Sequence, residues 1–327
     1  MDVFIAPLFG DDYVAGLYAG KVSSILVLRS YVIRLKNMLF AGKFDLVWVE
    51  KEMLPWVPSW LELGLFPTGV PLVVDYDDAI FHRYDRHRWL FVRRLLGKKI
   101  DAVMRRADLV LAGNDYLAGR ARGAGARRVE LLPTVVDDSR YAVPARKTGS
   151  PLTIGWIGSP STARYLKLIG PVLQDLVASH DVRVVALGAN ADQLEGLPVE
   201  VRPWTEAGEV KEIQQFDIGI MPLPDEPFER GKCGYKLIQY MACGKPVVAS
   251  SVGVNREIVE HGVNGFWANS HEEWLTALGS LLEDAELRKQ MGEVGRKHIE
   301  DKYCTQHVAP RLAALLRTAA NRGPISK

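Results

Sequence analysis

The sequence predicts an α/β fold with two domains, each built on a parallel β-sheet. Buried-strand patterns alternate with helical patterns along the chain, and this alternation is typical of βαβ units. A polar segment that contains Pro and Gly, residues 137–150, interrupts the alternation before it restarts. The length of 327 residues allows each half to bury a core. We therefore place an N-terminal domain at 1–140, a linker at 141–150, a second domain at 151–305 and a C-terminal helix at 306–327.

Composition limits the kinds of protein that the chain can be. Apolar residues make up 48% and charged residues 24%, as in ordinary globular proteins. The three cysteines lack C-x-x-C spacing, so we expect no metal site, and an odd number without a legible signal peptide fits a reducing cytoplasm. No apolar run reaches the roughly 18 residues that span a bilayer.

The net charge of +2 is unevenly divided. Residues 1–150 hold 22 Lys and Arg against 17 Asp and Glu, a net charge of +5, so the second half is negative. Much of the excess lies in Arg83–Arg106, where Trp89 and its apolar neighbours are also found. This segment suits an anionic membrane surface, and a solvated helix face is the alternative. Nucleic acid is not expected as a partner, because no recognition motif is present.

The first half predicts a helix and several strands. An apolar run of strand type, Asp2–Leu8, precedes a helix over Ser24–Phe40. One face of that helix carries Ile25, Leu28, Val32, Leu35 and Leu39. Buried strands are then predicted at Phe44–Val49, Val70–Val74, Leu109–Ala112 and Val129–Pro133.

Polar residues follow these strands. Ligands gather at the carboxyl ends of parallel strands, where Glu50, Asp77 and Asn114 fall. Asp78 and His82 lie in the segment DYDDAIFH, where paired acids could orient a base and a histidine could contact a reacting group. The alternative is an Asp N-cap and a surface histidine. No Ser-His-Asp or Cys-His arrangement is legible, so nothing supports a protease or an esterase.

The second half restarts with a strand, a turn and a helical pattern. Leu152–Ile157 is followed by Gly158 and Ser159 and then by helical spacing to Leu176, a weak form of a phosphate-cradling loop. Further strands are predicted at Val182–Leu187, Val199–Val201 and Phe216–Met221, a loop at Pro222–Arg230, and helices at Glu272–Leu282, Ala285–Glu300 and Ala309–Ala320.

The stretch 231–251 combines a loop, a helix and a strand. Apolar spacing predicts the helix, which ends at Gly244, and Pro246–Ala249 is a buried strand. Lys232 and Lys236 lie near the start of this helix. Because a helix N-terminus presents unpaired N–H groups and a positive dipole end, these lysines suit a diphosphate. Alternatively, they only solvate an exposed helix face.

The motif K-L-I-Q-Y-M-A-C-G-K-P-V-V-A-S, which starts at Lys236, is followed by G-V-N-R-E-I-V and H-G-V-N-G-F. Together they resemble the donor-binding half of retaining glycosyltransferases of the GT-B fold, family 4. The resemblance covers most of residues 150–310 and is looser over 1–140. Gly231 and Gln239 stand where that family carries two glutamates, and Glu226 resembles the local context of the first one.

The resemblance implies two Rossmann-like domains that face one another across a cleft, with a nucleotide-sugar donor in the second and an acceptor in the first. It implies transfer with retained anomeric configuration, without a metal ion or another cofactor. Lys232 and Lys236 would stabilise the departing diphosphate, and Gln239 would hold the ribose or the sugar. The catalytic candidates are His82, Asp78 and Lys236; the donor-binding candidates are Gly158, Ser159, Lys232, Lys236, Leu237, Gln239 and Glu257, with Arg164 in addition; the acceptor-side candidates are Glu50, Asp77 and Asn114.

Members of this family usually begin with a strand, a glycine-rich turn and a helix, so we expect the N-terminal domain to lack its first βα unit. The acceptor would be a glycan, a lipid-linked or a small molecule. Association of Arg83–Arg106 with a membrane would suit a cytoplasmic enzyme of cell-envelope polysaccharide synthesis. Two alternatives stay open: a binding protein that has lost catalysis, which Gly231 and Gln239 favour, and an epimerase or phosphorylase on the same scaffold. Glu257 could simply stabilise its helix through the dipole.

Overall fold

The computed structural model describes residues 2–10, 13, 16, 21, 23–143 and 151–321. The chain forms two compact units, Met1–Leu132 with Leu312–Lys327, and Pro133–Arg311. Each unit contains its own parallel β-sheet, so the predicted α/β fold class is confirmed. The predicted linker lies partly outside the described residues, since 144–150 are not among them.

The first unit is built on four strands. They are β1 Val47–Glu50, β2 Leu72–Tyr76, β3 Leu109–Ala112 and β4 Val129–Leu131. Their order is β1-β2-β3-β4, and every pair is parallel. The helices of this unit are α1 Ser24–Leu39, α2 Ser59–Gly64, α3 His82–Asp85, α4 Leu90–Leu96, α5 Lys99–Arg106 and α6 Asp115–Gly123.

The predicted strand at Asp2–Leu8 is wrong. These residues form no regular secondary structure, and Ile5 is 82% exposed. A strand needs a neighbour for its backbone hydrogen bonds, and within the described sheet β1 pairs with β2 alone. The helix α1 is confirmed, but its apolar face is largely exposed, with Ile25 at 80% and Leu28 at 67%.

The second unit is built on six parallel strands. They are β5 Leu152–Ile157, β6 Val182–Leu187, β7 Val199–Arg202, β8 Ile218–Met221, β9 Val247–Ala249 and β10 Gly265–Trp267. Their order is β10-β9-β8-β5-β6-β7. The chain first adds β6 and β7 on one side of β5 and then adds β8, β9 and β10 on the other side, so the strand order reverses between β5 and β8. Ligands of open α/β sheets bind outside the carboxyl ends of strands at such a switch point.

Two predicted segments of the second unit have a different structure from the one expected. The pattern up to Leu176 is broken into α7 Pro160–Ala163, a 3₁₀ segment and α8 Gly170–Ser179, because Pro171 starts a new helix. The predicted loop at 222–230 contains α10 Pro227–Arg230. The remaining helices are α9 Glu209–Gln214, α11 Tyr235–Ala242, α12 Asn255–Ile258, α13 His271–Glu283, α14 Ala285–Lys302 and α15 Thr305–Asn321. The part of α15 from Leu312 onward belongs to the first unit.

Candidate functional site

A small pocket lies at the switch point of the second sheet. It is formed by the residues after β5 and β8 together with the start of α11. Two lysines, two aromatic residues and a threonine are among the residues that line it. The lining residues are Trp156, Thr162, Tyr165, Met221, Pro222, Leu223, Lys232 and Lys236.

The two predicted lysines reach this pocket together. Nζ of Lys236 lies 5.5 Å from the ring centroid of Trp156, and Nζ of Lys232 lies 5.1 Å from that of Phe228. At these distances an aromatic face attracts a cation. Because both lysines lie within three residues of the first residue of α11, side-chain charge and backbone dipole favour an anion at the same end of the helix. The charge here therefore favours an anion, but the pocket's volume of about 10 Å³ holds only about one water molecule, so binding of a diphosphate stays a prediction.

Two glycines allow close packing beside the pocket and at the start of α11. A Cβ on Gly158 would lie 2.6 Å from the ring of Trp156 and 2.9 Å from Cε of Lys236, so only glycine leaves room for the lysine stem. Gly234 caps α11 at φ +66°, where a Cβ would lie 2.4 Å from Cδ1 of Ile258. The predicted turn after β5 therefore lies beside Lys236.

The predicted serine of that turn bonds within the turn. Oγ of Ser159 lies 2.8 Å from Oγ of Ser161, and Oγ1 of Thr162 donates to the carbonyl of Ser159 at 3.0 Å. The side chain of Ser159 makes no cap hydrogen bond to α7. These bonds hold the short turn in shape at the edge of the pocket.

Glu229 lies behind the pocket residue Tyr165, and the sequence did not single it out. It is 4% exposed, and the hydroxyl of Tyr165 donates to its Oε1. Its Oε2 has no hydrogen-bond partner within the described part of the chain. Burial raises the pKa of Tyr165, which keeps that hydroxyl a donor, and the guanidinium of Arg164 lies 5.2 Å from its ring centroid. Glu226, the candidate from sequence, is exposed instead.

The other predicted donor-side residues do not line the pocket. Leu237 is fully buried, and Glu257 is exposed on α12. Gln239 is 2% exposed and donates through Nε2 to Oε1 of Glu209 at 2.7 Å and to the hydroxyl of Tyr141 at 3.1 Å. The structure thus gives Gln239 partners within the protein, and ligand binding by Gln239 and Glu257 stays a prediction.

In the first unit, acidic side chains gather at the carboxyl ends of β1 and β2. Nζ of Lys51 lies 3.1 Å from Oδ1 of Asp77 and 4.0 Å from Oδ2 of Asp78. Burial alone would lower the pKa of Lys51, but the charges of Asp77 and Asp78 outweigh it and raise that pKa. Burial, with the charges of Asp77 and Glu50, raises the pKa of Asp75 to about 7. Asp75 is a further member of this group that the sequence did not single out.

His82 and Asn114 have partners within the first unit. Nδ1 of His82 lies 2.8 Å from Oδ1 of Asp85, and Nε2 lies 2.8 Å from the hydroxyl of Tyr116. Asp85 also pairs with Arg120 at 3.0 Å. Asn114 is 3% exposed, and its Oδ1 caps α6 by accepting a backbone N–H at 3.0 Å. Both residues therefore hold local structure, and their contact with a ligand stays a prediction.

In the part of the chain that the structure describes, no group of three His, Cys, Asp or Glu side chains is placed to hold a metal ion. Among the same residues, no helix has the length and apolar character needed to cross a membrane. All three cysteines are buried, and none of them forms a disulfide.

Comparison with known proteins agrees with this architecture. Residues 151–284 match the family model described as "Glycosyl transferases group 1". The D-inositol 3-phosphate glycosyltransferase of Thermobispora bispora is 28% identical over 176 residues, which are 53% of this chain. That match spans 36% of the relative's length.

Solved structures resemble the chain over most of its length. Sucrose-phosphate synthase from Thermosynechococcus elongatus has a TM-score of 0.71 at 15% identity, covering 89% of this chain and 78% of that one. Anabaena Alr3699/HepE in complex with UDP and glucose has a TM-score of 0.66 at 19% identity, covering 87% and 80%. These likenesses show the GT-B fold, and the family model supports a glycosyltransferase.

Proposed function

We propose that the protein is a retaining glycosyltransferase of family 4, which moves a sugar from a nucleotide-sugar donor to an acceptor hydroxyl. The observation that carries this proposal is the pocket of the second unit, where Lys232 and Lys236 lie together with Tyr165, the hydrogen-bond donor to Glu229. The family match over residues 151–284 supports it. So does the likeness to a protein whose structure was determined with UDP and glucose.

The lysines meet the charge that develops in this reaction. When the bond between C1 of the sugar and the phosphate oxygen breaks, its electron pair stays on the diphosphate, which becomes more negative. Lys232, Lys236 and the N–H groups that start α11 would stabilise that charge, so we propose a reaction without a metal ion or another cofactor. Retention by front-face attack brings the acceptor hydroxyl beside the departing phosphate, whose oxygen can then take the proton.

We assign the binding of the transferred sugar to Glu229. A buried acceptor without a partner costs about 1–3 kcal/mol, and a sugar hydroxyl could donate to Oε2 and recover this free energy. A carboxylate here would also stabilise positive charge at C1 in the transition state. Glu229 would thus supply the carboxylate that Gly231 lacks. Gln239 would support α11 through Glu209 and Tyr141.

The acceptor, a glycan, a lipid-linked or a small molecule, would bind at the carboxyl ends of β1 and β2. Its hydroxyls can donate to the carboxylates of Glu50, Asp77 and Asp78. Since both ring nitrogens of His82 already lie 2.8 Å from protein partners, we assign His82 to holding this segment rather than to proton transfer. We also propose that the protein lies in the cytoplasm beside an anionic membrane and takes part in cell-envelope polysaccharide synthesis. The positive charge of Arg83–Arg106 supports this location.

Product analysis tests the reaction. The protein is incubated with UDP-, GDP- and ADP-sugars and simple glycoside acceptors in the presence of EDTA, and the product is examined by proton NMR. We expect one donor to yield a glycoside with the donor's anomeric configuration. An inverted product would contradict retention, and a complete loss of transfer in EDTA would contradict a metal-independent reaction.

The second candidate function is a binding protein that keeps the fold without catalysis. Gly231 and Gln239, which replace the two glutamates of the resembling family, favour it. Enzyme-dependent hydrolysis of a nucleotide-sugar without acceptor would contradict this alternative. An epimerised nucleotide-sugar in the same incubation would instead identify an epimerase.

A further inference from the structure

The helix α4 and the residue before it expose a run of large apolar side chains. Trp89, Leu90 and Phe91 are 60%, 50% and 73% exposed, and Leu95, one turn after Phe91, is 46% exposed. Two of the seven residues of α4 are buried. Because contiguous exposed apolar side chains are uncommon on globular proteins, such a run marks an interaction surface.

Basic side chains surround this apolar run. Arg88, Arg93, Arg94 and Lys98 are exposed, and none of the four has a carboxylate partner among the described residues. The two acidic residues of the segment 83–106 are instead held by Arg120, at 3.0 and 2.6 Å. The positive charge of these four side chains is therefore not neutralised by carboxylates of the described residues.

Helix geometry sets Phe91 and Leu95 apart from Arg93, whereas Leu90 and Arg94 share a face. With 100° between successive residues, Phe91 and Leu95 lie on one flank of α4 and Arg93 on the other. Beside Arg93 is a shallow depression of about 560 Å³, large enough for a small polar group such as a lipid headgroup. It is lined by Asp85, Arg93, Gly97, Lys98, Asp101, Gly119, Arg120, Gly123 and Ala124.

We propose that the α4 surface, defined as Arg88–Leu95 with Lys98, docks on an anionic lipid bilayer. Trp89, Phe91 and Leu95 would enter the boundary between headgroups and acyl chains, and the basic side chains would bind lipid phosphates. Charge alone would suit a nucleic acid equally, but the aliphatic Leu90 and Leu95 beside the rings favour a bilayer.

The structure also corrects which charges take part. The sequence counts Lys99 among the basic residues of segment 83–106, yet its side chain is buried. Its Nζ lies 2.8 Å from Oε1 of Glu52 and 2.9 Å from Oε2 of Glu62. Lys99 therefore belongs to the interior of the first unit and adds nothing to docking. This docking involves the first unit alone, so a test of it does not depend on whether the pocket of the second unit binds a donor.

Vesicle flotation tests the proposal on the full chain. Vesicles of phosphatidylcholine alone are compared with vesicles containing 30% phosphatidylglycerol, at low and at high salt. Since each basic residue near an anionic surface contributes about fivefold, the triple variant Arg88→Ala, Arg93→Ala and Arg94→Ala should bind anionic vesicles roughly a hundredfold more weakly. Trp89→Ala and Phe91→Ala should each weaken binding roughly tenfold, even at a salt concentration that screens charge.

Controls separate docking from general electrostatics. The variant Lys211→Ala, Lys289→Ala and Lys297→Ala removes three exposed charges of the second unit and should bind anionic vesicles like the wild type. An environment-sensitive dye on Phe91→Cys should shift its emission to the blue on anionic vesicles, whereas the same dye on Lys211→Cys should not. Equal binding to neutral vesicles, equal loss in both triple variants, or binding of a short RNA without any vesicle binding would overturn the proposal. UDP binding by the arginine variant should stay at the wild-type level.

Discussion

Glu229 is a buried carboxylate that leaves half of its acceptor capacity unused. Tyr165 donates to Oε1, whereas Oε2 has no hydrogen-bond partner in the described chain. Proteins rarely leave a buried acceptor in this state without a reason such as a ligand. Lys232 and Lys236 line the same pocket as Tyr165. We interpret the arrangement as one site with cations for phosphate and a carboxylate for sugar.

The variant Glu229→Gln tests the role of this carboxylate. The amide keeps an acceptor for the hydroxyl of Tyr165 but loses the charge that stabilises the transition state. We expect kcat to fall about 10²–10³-fold, with UDP affinity within about twofold because no phosphate contact is lost. The rate is measured as UDP release with the best donor. Glu226→Gln, at the exposed glutamate three residues earlier, should keep the wild-type rate; equal loss in both variants would contradict the assignment.

Asp75 predicts a pH dependence of stability. Its pKa is raised from 3.8 to about 7, so the native state keeps a proton that the unfolded state has already lost. The free energy of unfolding should therefore decrease as the pH rises from about 4 to about 7, by about 2–4 kcal/mol from this group. Asp75→Asn should remove this decrease, as measured by urea denaturation across that range. Exposed Asp192→Asn should keep the wild-type profile, and an unchanged profile in Asp75→Asn would contradict the prediction.

At single positions, the sequence predicted the helix on which a residue lies, because this depends on neighbouring residues. It did not predict which side chains are buried or which distant residues they contact. Lys236 was placed correctly at the start of a helix, because the helix start is visible in the pattern around it. Glu229 was missed because its burial comes from a one-turn helix inside an apparent loop, where no periodicity distinguishes it from Glu226. Gln239 was placed on the correct helix, but its bond to Glu209, 30 residues away in sequence, could not be foreseen.

The element that positions the pocket is the turn between β5 and α7 at the switch point. Strands β3, β5 and β6 have the predicted bounds, because continuous apolar runs with polar flanks identify buried parallel strands. The strand expected at Asp2–Leu8 is not formed. An apolar run indicates a propensity for β-structure, but it does not show whether a partner strand is present. The order of the strands, which creates the switch point, depends on contacts distant in sequence and was not predicted from the pattern.

Gly158→Ala tests the close approach at this turn. The added methyl would lie 2.6 Å from the ring of Trp156 and 2.9 Å from Cε of Lys236. We expect a loss of about 1–3 kcal/mol in stability and roughly tenfold weaker UDP binding, because Lys236 must move. Gly279→Ala, within α13, meets no atom within 4 Å and should stabilise the protein by about 0.5–1 kcal/mol. Thermal unfolding and UDP titration measure both effects, and similar behaviour of the two variants would contradict the account.

In the molecule as a whole, the two units carry different functional groups. The second unit holds the cationic pocket with Glu229, and the first unit holds the acidic group around Asp77 and the cationic α4 surface. The division into two α/β units followed from the break in the pattern near residue 140, and the positive first half pointed to an anionic partner. Which of its basic residues face solvent came only from the structure, as Lys99 illustrates.

The central claim is that the pocket of the second unit binds a nucleoside diphosphate through its two lysines. Calorimetric titration of UDP, GDP and ADP into the wild type, Lys232→Ala, Lys236→Ala and the exposed control Lys289→Ala tests it most directly. Since a hydrogen bond to a charged group contributes about 1.5–3 kcal/mol, we expect one nucleotide to bind the wild type and the control equally, and each pocket variant roughly 10–100-fold more weakly. A wild type that binds none of the three, or a Lys236→Ala variant that binds like Lys289→Ala, would contradict the claim.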